Sequence, residues 1–278
     1  MDSNSKDFAI NIENANVILD GVEILHDINL QVPYGQKCFI LGANGAGKTT
    51  FVKMLLGYVW AKWGSKVEVL GKHFGKTDLN ELRKSIAWVS PFINKTCSGN
   101  NGVDMVLSGR SGTLGYYLQA SEDELNEVAD FLKKVDALHL ANKEFSEMSS
   151  GEQIKILIAR ALFAKSKLMI LDEPTAYLDI AQREFLLKAI NKIANENPNL
   201  TIIFISQNIT DILPIFDKGM ILKDGKIMKY GARDEVLTEN NLKEIFNLNV
   251  KLIKTDNGRL WSIVEWCLKI IKFLQTKK

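Results

Sequence analysis

Residues 37 to 50 read Lys-Cys-Phe-Ile-Leu-Gly-Ala-Asn-Gly-Ala-Gly-Lys-Thr-Thr. The apolar run Cys38 to Leu41 has the length of a short buried strand. A glycine-rich turn follows at once, and Lys48-Thr49-Thr50 then opens the helix-like stretch Phe51 to Leu56. Strand, turn and helix with the spacing G-x-x-x-x-G-K-[ST] form a phosphate-binding P-loop. The glycines let the backbone turn tightly and aim its N–H groups at phosphate oxygens. The helix that follows points its positive end at the same place. Gly42, Ala43, Asn44, Gly45, Ala46, Gly47, Lys48, Thr49 and Thr50 are therefore the candidate phosphate contacts. Lys48 reaches β- and γ-phosphates, and the Thr49 hydroxyl is a candidate Mg²⁺ ligand.

Bulk properties narrow the classes open to such a core. A chain of 278 residues makes one large domain or two small ones. A net charge of +2 argues against a dedicated nucleic-acid binder. Cys38, Cys97 and Cys267 stand apart with no C-x-x-C pair, which fits a reducing cytosol and disfavours a disulfide framework or a zinc site. The polar start, Met1 to Asp7, does not read as a signal peptide, and no stretch is apolar for long enough to predict a membrane span.

Alternating short runs over residues 8 to 34, with Asp20-Gly21 as a hairpin signal, predict an antiparallel β element ahead of the P-loop, joined by a strand over 66–71. From about 78 to 165 the pattern is helical and loop-rich, including Leu79, Leu82 and Ile86 after Asp78, and Leu125, Val128, Ala129, Leu132 and Val135 at helical spacing behind a Ser121 cap. Strands at 168–171 and 201–205, a helix at 181–194 and a hairpin through Asp224-Gly225 restore α/β character. The expected fold is α/β: a P-loop NTPase core with a parallel sheet covered by helices on both faces, an N-terminal antiparallel β element and an inserted helical subdomain.

Two further segments carry chemistry. Leu168 to Leu171 ends in Asp172-Glu173. Taken alone, such a run is a strand end before a turn. Downstream of a P-loop, it sets Asp172 where it can hold Mg²⁺ and Glu173 where it can orient or deprotonate a water. Ser149-Ser150-Gly151-Glu152 precedes a helix bearing Ile154, Leu157, Ile158, Ala161 and Leu162. Ser149-x-x-Glu152 and Ser150-x-x-Gln153 both fit a capping box, and a capped helix start is also an anion site.

With these motifs in order, the sequence resembles the ATP-binding subunit of an ABC transporter over about residues 8 to 255. GANGAGKTT resembles that family's Walker A, MSSGEQ at 148–153 its signature loop, and LMILDEPTAYLD at 168–179 its Walker B and D-loop. Finer features are closest to the ATPases of metal-chelate (iron-siderophore) or molybdate-type importers: Val106 to Arg110 with Leu114-Gly115, Leu178 to Gln182, and Asp234 to Thr238 with Ile245-Phe246. The resemblance implies ATP and Mg²⁺ as ligands and a homodimer that sandwiches ATP between the P-loop of one copy and Ser149, Ser150, Gly151 and Glu152 of the other, with Asp179 at the seam. It implies integral-membrane transporter subunits as partners, a cytoplasmic location on the inner face of the membrane, and no nucleic acid. The function expected is ATP hydrolysis that powers a transporter, an importer in the first reading. The alternatives are a soluble non-transport ABC ATPase and an ATP-binding regulatory subunit with weak hydrolysis.

Three positions depart from the family pattern. Val17-Ile18-Leu19 stands where an aromatic residue stacks on adenine. Ser90 to Asn94 stands where a glutamine touches Mg²⁺, which makes Asn94 the substitute ligand beside Thr49 and Asp172. Gln207 stands at the switch histidine; it donates a hydrogen bond but cannot titrate. Catalysis is therefore assigned to Glu173 with Gln207, with slow turnover expected.

The domain reading is an ATP-binding domain over 1–258, with the helical insertion at about 88–165, and an amphipathic helical tail over 259–278. The tail carries Trp261, Trp266 and a net charge of +4 (Arg259, Lys269, Lys272, Lys277 and Lys278 against Glu265). It is expected to pack on its own domain or to lie on a membrane surface or partner subunit.

Overall fold

The computed structural model describes residues 7–91, 99–111 and 120–264. In chain order the elements are β1 (Phe8–Leu19), β2 (Val22–Pro33), β3 (Lys37–Leu41), α1 (Lys48–Leu55), β4 (Lys66–Val69), β5 (Lys72–His73), α2 (Leu79–Lys84), β6 (Ile86–Val89), α3 (Gly102–Leu107), α4 (Glu122–Lys134), α5 (Ser150–Phe163), β7 (Leu168–Asp172), α6 (Ile180–Glu196), β8 (Thr201–Ser206), β9 (Lys218–Lys223), β10 (Lys226–Ala232), α7 (Arg233–Val236), α8 (Glu239–Phe246), β11 (Val250–Lys254) and β12 (Leu260–Val264).

The central sheet runs β10-β9-β3-β8-β7-β6. Its pairs from β9 to β6 are parallel, and β10 returns antiparallel as a hairpin at one edge. A parallel sheet is buried on both faces, and every residue of β3 and β7 is buried. Alternation then sends side chains to two cores. Phe39, Leu41, Met169, Leu171, Ile202 and Phe204 enter one; Cys38, Ile40, Leu168, Ile170, Ile203 and Ile205 enter the other.

The first core is roofed by helices, including α4 through Val128 and Leu132, α5 through Ile154 to Phe163, and α6 through Leu186 and Ile190. The second is covered differently from the expectation of helices alone. A four-stranded antiparallel sheet, ordered β2-β1-β4-β5, lies over it with α1 and Leu82 of α2. The twelve-residue strands β1 and β2 supply the reason, because each presents an alternating apolar face (Ile10, Ile12, Val17; Ile28, Leu30, Val32) wide enough to close that side. Burial in this core pushes the Cys38 thiol up to about 12, so it behaves as a packing residue rather than a nucleophile.

Between β6 and β7 the chain forms α3, α4 and α5, which pack on one another. Ser121 caps α4 through a reciprocal box with Glu124. The C-terminal reading needs correction at its start. Leu260–Val264, expected as the first turn of a helix, is strand β12, paired in register with β11 from Val250↔Val264 to Lys254↔Leu260. A turn at Thr255 to Gly258 closes this hairpin, with Thr255 N–H donating to Arg259 O at 2.9 Å. Leu260 is buried while Trp261 and Ser262 face out. The rest of the tail, 265–278, lies outside the described residues.

Candidate functional site

The site assembles at the C-terminal edge of the parallel strands, where β3, β7 and β8 stop side by side. From β3 the chain enters the loop 42–47 and then α1. Gly47 is the cap of α1 at φ 98, a left-handed conformation that side-chain-bearing residues avoid. At Gly42 a Cβ would come within 2.5 Å of Leu222 O, so only glycine fits against β9. Gly47 brings no side chain to cap α1, and the first-turn N–H groups remain available to an anion.

Lys48, 5% exposed, folds back over this loop. Its Nζ donates to Gly42 O at 2.8 Å and to Ala43 O at 2.9 Å, and lies 3.1 Å from Glu173 Oε1. Glu173 holds a left-handed backbone (φ 49) and donates its N–H to Ile205 O at 3.0 Å, tying the end of β7 to β8. A non-glycine residue in that region is strained, and such strain persists where the surroundings over-determine it.

Asp172 precedes it and is 2% exposed. Burial, and then the Glu173 charge, push its carboxyl up to about 6. A buried acid raised that far is one that a divalent cation returns to its ionised form. The donor set also fits Mg²⁺, since the Thr49 hydroxyl and the Asp172 carboxylate are hard oxygen ligands. Among the described residues no group of three or more His, Cys, Asp or Glu side chains could hold a metal by itself, so the other ligands would be nucleotide oxygens and water. The remaining proposed ligand, Asn94, lies outside the described residues.

The signature residues start α5. Of the two capping boxes the sequence allows, the chain uses the first: Ser149 N–H donates to Glu152 Oε2 at 2.7 Å, and Glu152 N–H donates to Ser149 Oγ at 3.4 Å. Gln153 turns away and donates to Phe145 O at 2.8 Å. Lys143, which sequence reasoning passed over, donates to Glu152 Oε2 at 2.9 Å and holds that carboxyl below its ordinary range. Gly151 packs against Leu178 and Gln182, so the signature turn rests on the segment around Asp179. Asp179 caps α6 through Gln182 N–H at 2.8 Å. Its neighbours Tyr177 and Ile180 are 77% and 82% exposed.

The departures from the family pattern are also visible. Leu19, at the end of β1, is half-buried against the second core, and Ile18 faces out. Ser206 is buried at the end of β8, and Gln207 after it is exposed. Behind Gln207 lies Asp211, a residue that no sequence motif singles out. It is 2% exposed and receives Thr175 Oγ1–H at 2.8 Å, Ser206 Oγ–H at 3.0 Å and Arg183 Nε–H at 2.5 Å.

Comparison with known proteins agrees with this geometry. A family model described as ABC transporter matches residues 25–176. The uncharacterized ABC transporter ATP-binding protein YlmA of Bacillus subtilis is 34% identical over 246 residues, which is 88% of this chain and 93% of that protein. The molybdate import ATP-binding protein MolC of Haemophilus influenzae is 29% identical, covering 86% of this chain and 88% of its own. A solved transporter assigned to the metal-chelate type, in an inward-facing conformation, superimposes with a TM-score of 0.74 at 26% identity, covering 93% of this chain and 97% of the other. ABC ATP-binding domains are in general ATPases that work with membrane transporter subunits. On the matched span, the cover of its relatives and the phosphate loop and strand ends described above, the chain belongs to the ABC transporter family as an ATP-binding subunit.

Proposed function

We propose that this chain is the ATP-hydrolysing subunit of an ABC importer, acting as a homodimer beneath integral-membrane subunits on the cytoplasmic face of the membrane. The observation that carries the reading is the juxtaposition of Lys48 and Glu173 at 3.1 Å, a phosphate-binding cation and a candidate base at one point of the sheet edge. The ATP phosphates would sit on the N-terminus of α1, and Lys48 would exchange Glu173 for β- and γ-phosphate oxygens. Glu173, so released, would accept the proton of a water attacking the γ-phosphorus as the bond to the ADP oxygen breaks. Thr49 and Asp172 would hold Mg²⁺, which supplies charge neutralisation on the phosphates.

The dimer follows from the second anion site. The α5 N-terminus at Ser149–Glu152 would meet the γ-phosphate bound by the other copy. Exposed Tyr177 and Ile180 flank Asp179 and leave apolar surface at that segment, which a seam between two copies would cover. Among the described residues no helix is long and apolar enough to cross a membrane. Import rather than export is supported by likeness to a molybdate import protein and to a metal-chelate type transporter.

The test uses the full chain with Glu173→Gln. The expected result is loss of hydrolysis with an ATP-dependent dimer by light scattering. Unchanged hydrolysis together with no dimer would overturn the assignment. A second reading, a regulatory subunit that binds ATP and turns it over weakly, is favoured by one observation: the exposed switch position holds Gln207, which cannot exchange a proton.

A further inference from the structure

Asp211 is a buried carboxylate whose donors come from three separate stretches of the chain. Thr175 lies two residues after Glu173, Ser206 lies immediately before Gln207, and Arg183 opens α6 four residues after Asp179. The two hydroxyls share Oδ2 and the guanidinium takes Oδ1, so both oxygens are satisfied. Charge-assisted hydrogen bonds in a buried network fix geometry more tightly than neutral ones do. The turn held here is strained: Glu173 and Tyr177, on either side of Thr175, both have left-handed backbones (φ 49 and 66). Such conformations relax unless neighbouring bonds oppose them.

The network has an outer layer. Arg183 also donates to Thr210 Oγ1. Arg259, at the turn end of the β11–β12 hairpin, donates to Thr210 O at 2.7 Å and grips Glu184 with two bonds of 2.5 and 3.0 Å. The hairpin therefore holds both the segment after Gln207 and the start of α6.

We propose that Asp211 is a positioning residue that ties the turn carrying Glu173 to the strand end carrying Gln207, and that Arg259 makes the C-terminal hairpin part of the same support. This rests on the reading of Glu173 as the base. Asp211 touches no reacting atom in this arrangement, and its effect is on rate through the placement of two side chains. Nucleotide affinity is set elsewhere, by the loop 42–50.

The experiment measures single-turnover phosphate release and fluorescent-nucleotide affinity on full-length Asp211→Asn, Thr175→Val, Thr175→Ser and Arg259→Gln, with Glu173→Gln alongside. Asp211→Asn is expected to slow hydrolysis by about tenfold or more while affinity stays within about twofold. Thr175→Val follows in the same direction, Thr175→Ser recovers the rate, and Arg259→Gln gives a smaller loss of the same kind. Wild-type rates in folded Asp211→Asn and Thr175→Val, with Glu173→Gln inactive, would overturn the positioning role alone. Rate and affinity falling together would overturn it as well, since that is the signature of general loosening. Full hydrolysis by Glu173→Gln would remove the base assignment and this proposal with it. Should Asp211→Asn not fold, the Thr175→Val and Thr175→Ser pair decides.

Discussion

Lys48 Nζ lies 3.1 Å from Glu173 Oε1 while also donating to the carbonyls of Gly42 and Ala43. The candidate phosphate-binding cation is thus engaged by three groups of the protein, and one of its partners is the candidate base. Under the proposed function, nucleotide would take the place of that carboxylate. One movement would then serve two ends, since the exchange that binds phosphate would also free Glu173.

It follows that Lys48→Ala removes affinity and removes it unequally. Hydrogen bonds to charged groups contribute about 1.5–3 kcal/mol, so ATP binding should weaken by roughly 10- to 100-fold. ADP, lacking the γ-phosphate, should lose less. Titration with fluorescent ATP and ADP analogues measures both, and equal affinities for variant and wild type would contradict the role given to Lys48.

Asp172 makes the site sensitive to pH. Its ordinary value of 3.8 rises to about 6 in the folded chain, chiefly through burial. The folded state therefore keeps a proton there over an interval in which the unfolded chain has lost it. That stabilisation is complete below the ordinary value and fades as pH rises through about 6. Binding of magnesium-nucleotide favours the ionised form, so it should release protons near pH 6 and weaken below it. Calorimetry in buffers of different ionisation enthalpy reads the proton release directly. Asp172→Asn should abolish it, and a wild-type chain that releases none would refute the assignment.

What the sequence disclosed divides along a physical line. The loop at 42–50 and the acid pair at 172–173 are legible because their chemistry is local: glycine, lysine and carboxylate at fixed spacing carry their own geometry. The hairpin turn at Asp20-Gly21 and the Ser121 cap are local for the same reason. Strand order was not legible, because β3 sits between β8 and β9 through pairings that span more than a hundred residues. Nor was the placement of the predicted antiparallel sheet over the second core, which depends on the matched apolar faces of β1 and β2. Asp211 was invisible because its donors, Thr175, Arg183 and Ser206, converge only after β7 and β8 pair. At 256–258, Asp-Asn-Gly is a hairpin signal that helical spacing in the apolar residues beyond it obscured.

Gln207 is the position where substitution should increase activity. It is exposed on the turn after β8, next to buried Ser206, so its side chain can change without disturbing the core. A histidine there both donates to phosphate and exchanges a proton. Gln207→His should raise the steady-state hydrolysis rate by roughly tenfold, below the ~10²- to 10⁴-fold that a fully positioned acid–base group supplies. Affinity for ATP should change little. No increase would mean that Gln207 does not occupy the switch position or does not limit the rate.

Two truncations separate the hairpin from the tail. Ending the chain at Gly258 deletes β12 and Arg259, leaves β11 without its partner strand, and strips Glu184 and Thr210 O of their donor. It also removes the buried Leu260 from the first core. Loss of a buried apolar side chain and of charged hydrogen bonds together should cost about 2–4 kcal/mol, read as a lower denaturant midpoint. Ending the chain at Val264 keeps all of these contacts, so its unfolding midpoint should lie above that of the Gly258 truncation. A midpoint for the Gly258 truncation equal to that of the full chain would show that the hairpin contributes no stability. A drop at Val264 as large as that at Gly258 would show that the residues after 264 pack on this domain, which is one of the two roles the sequence allows the tail.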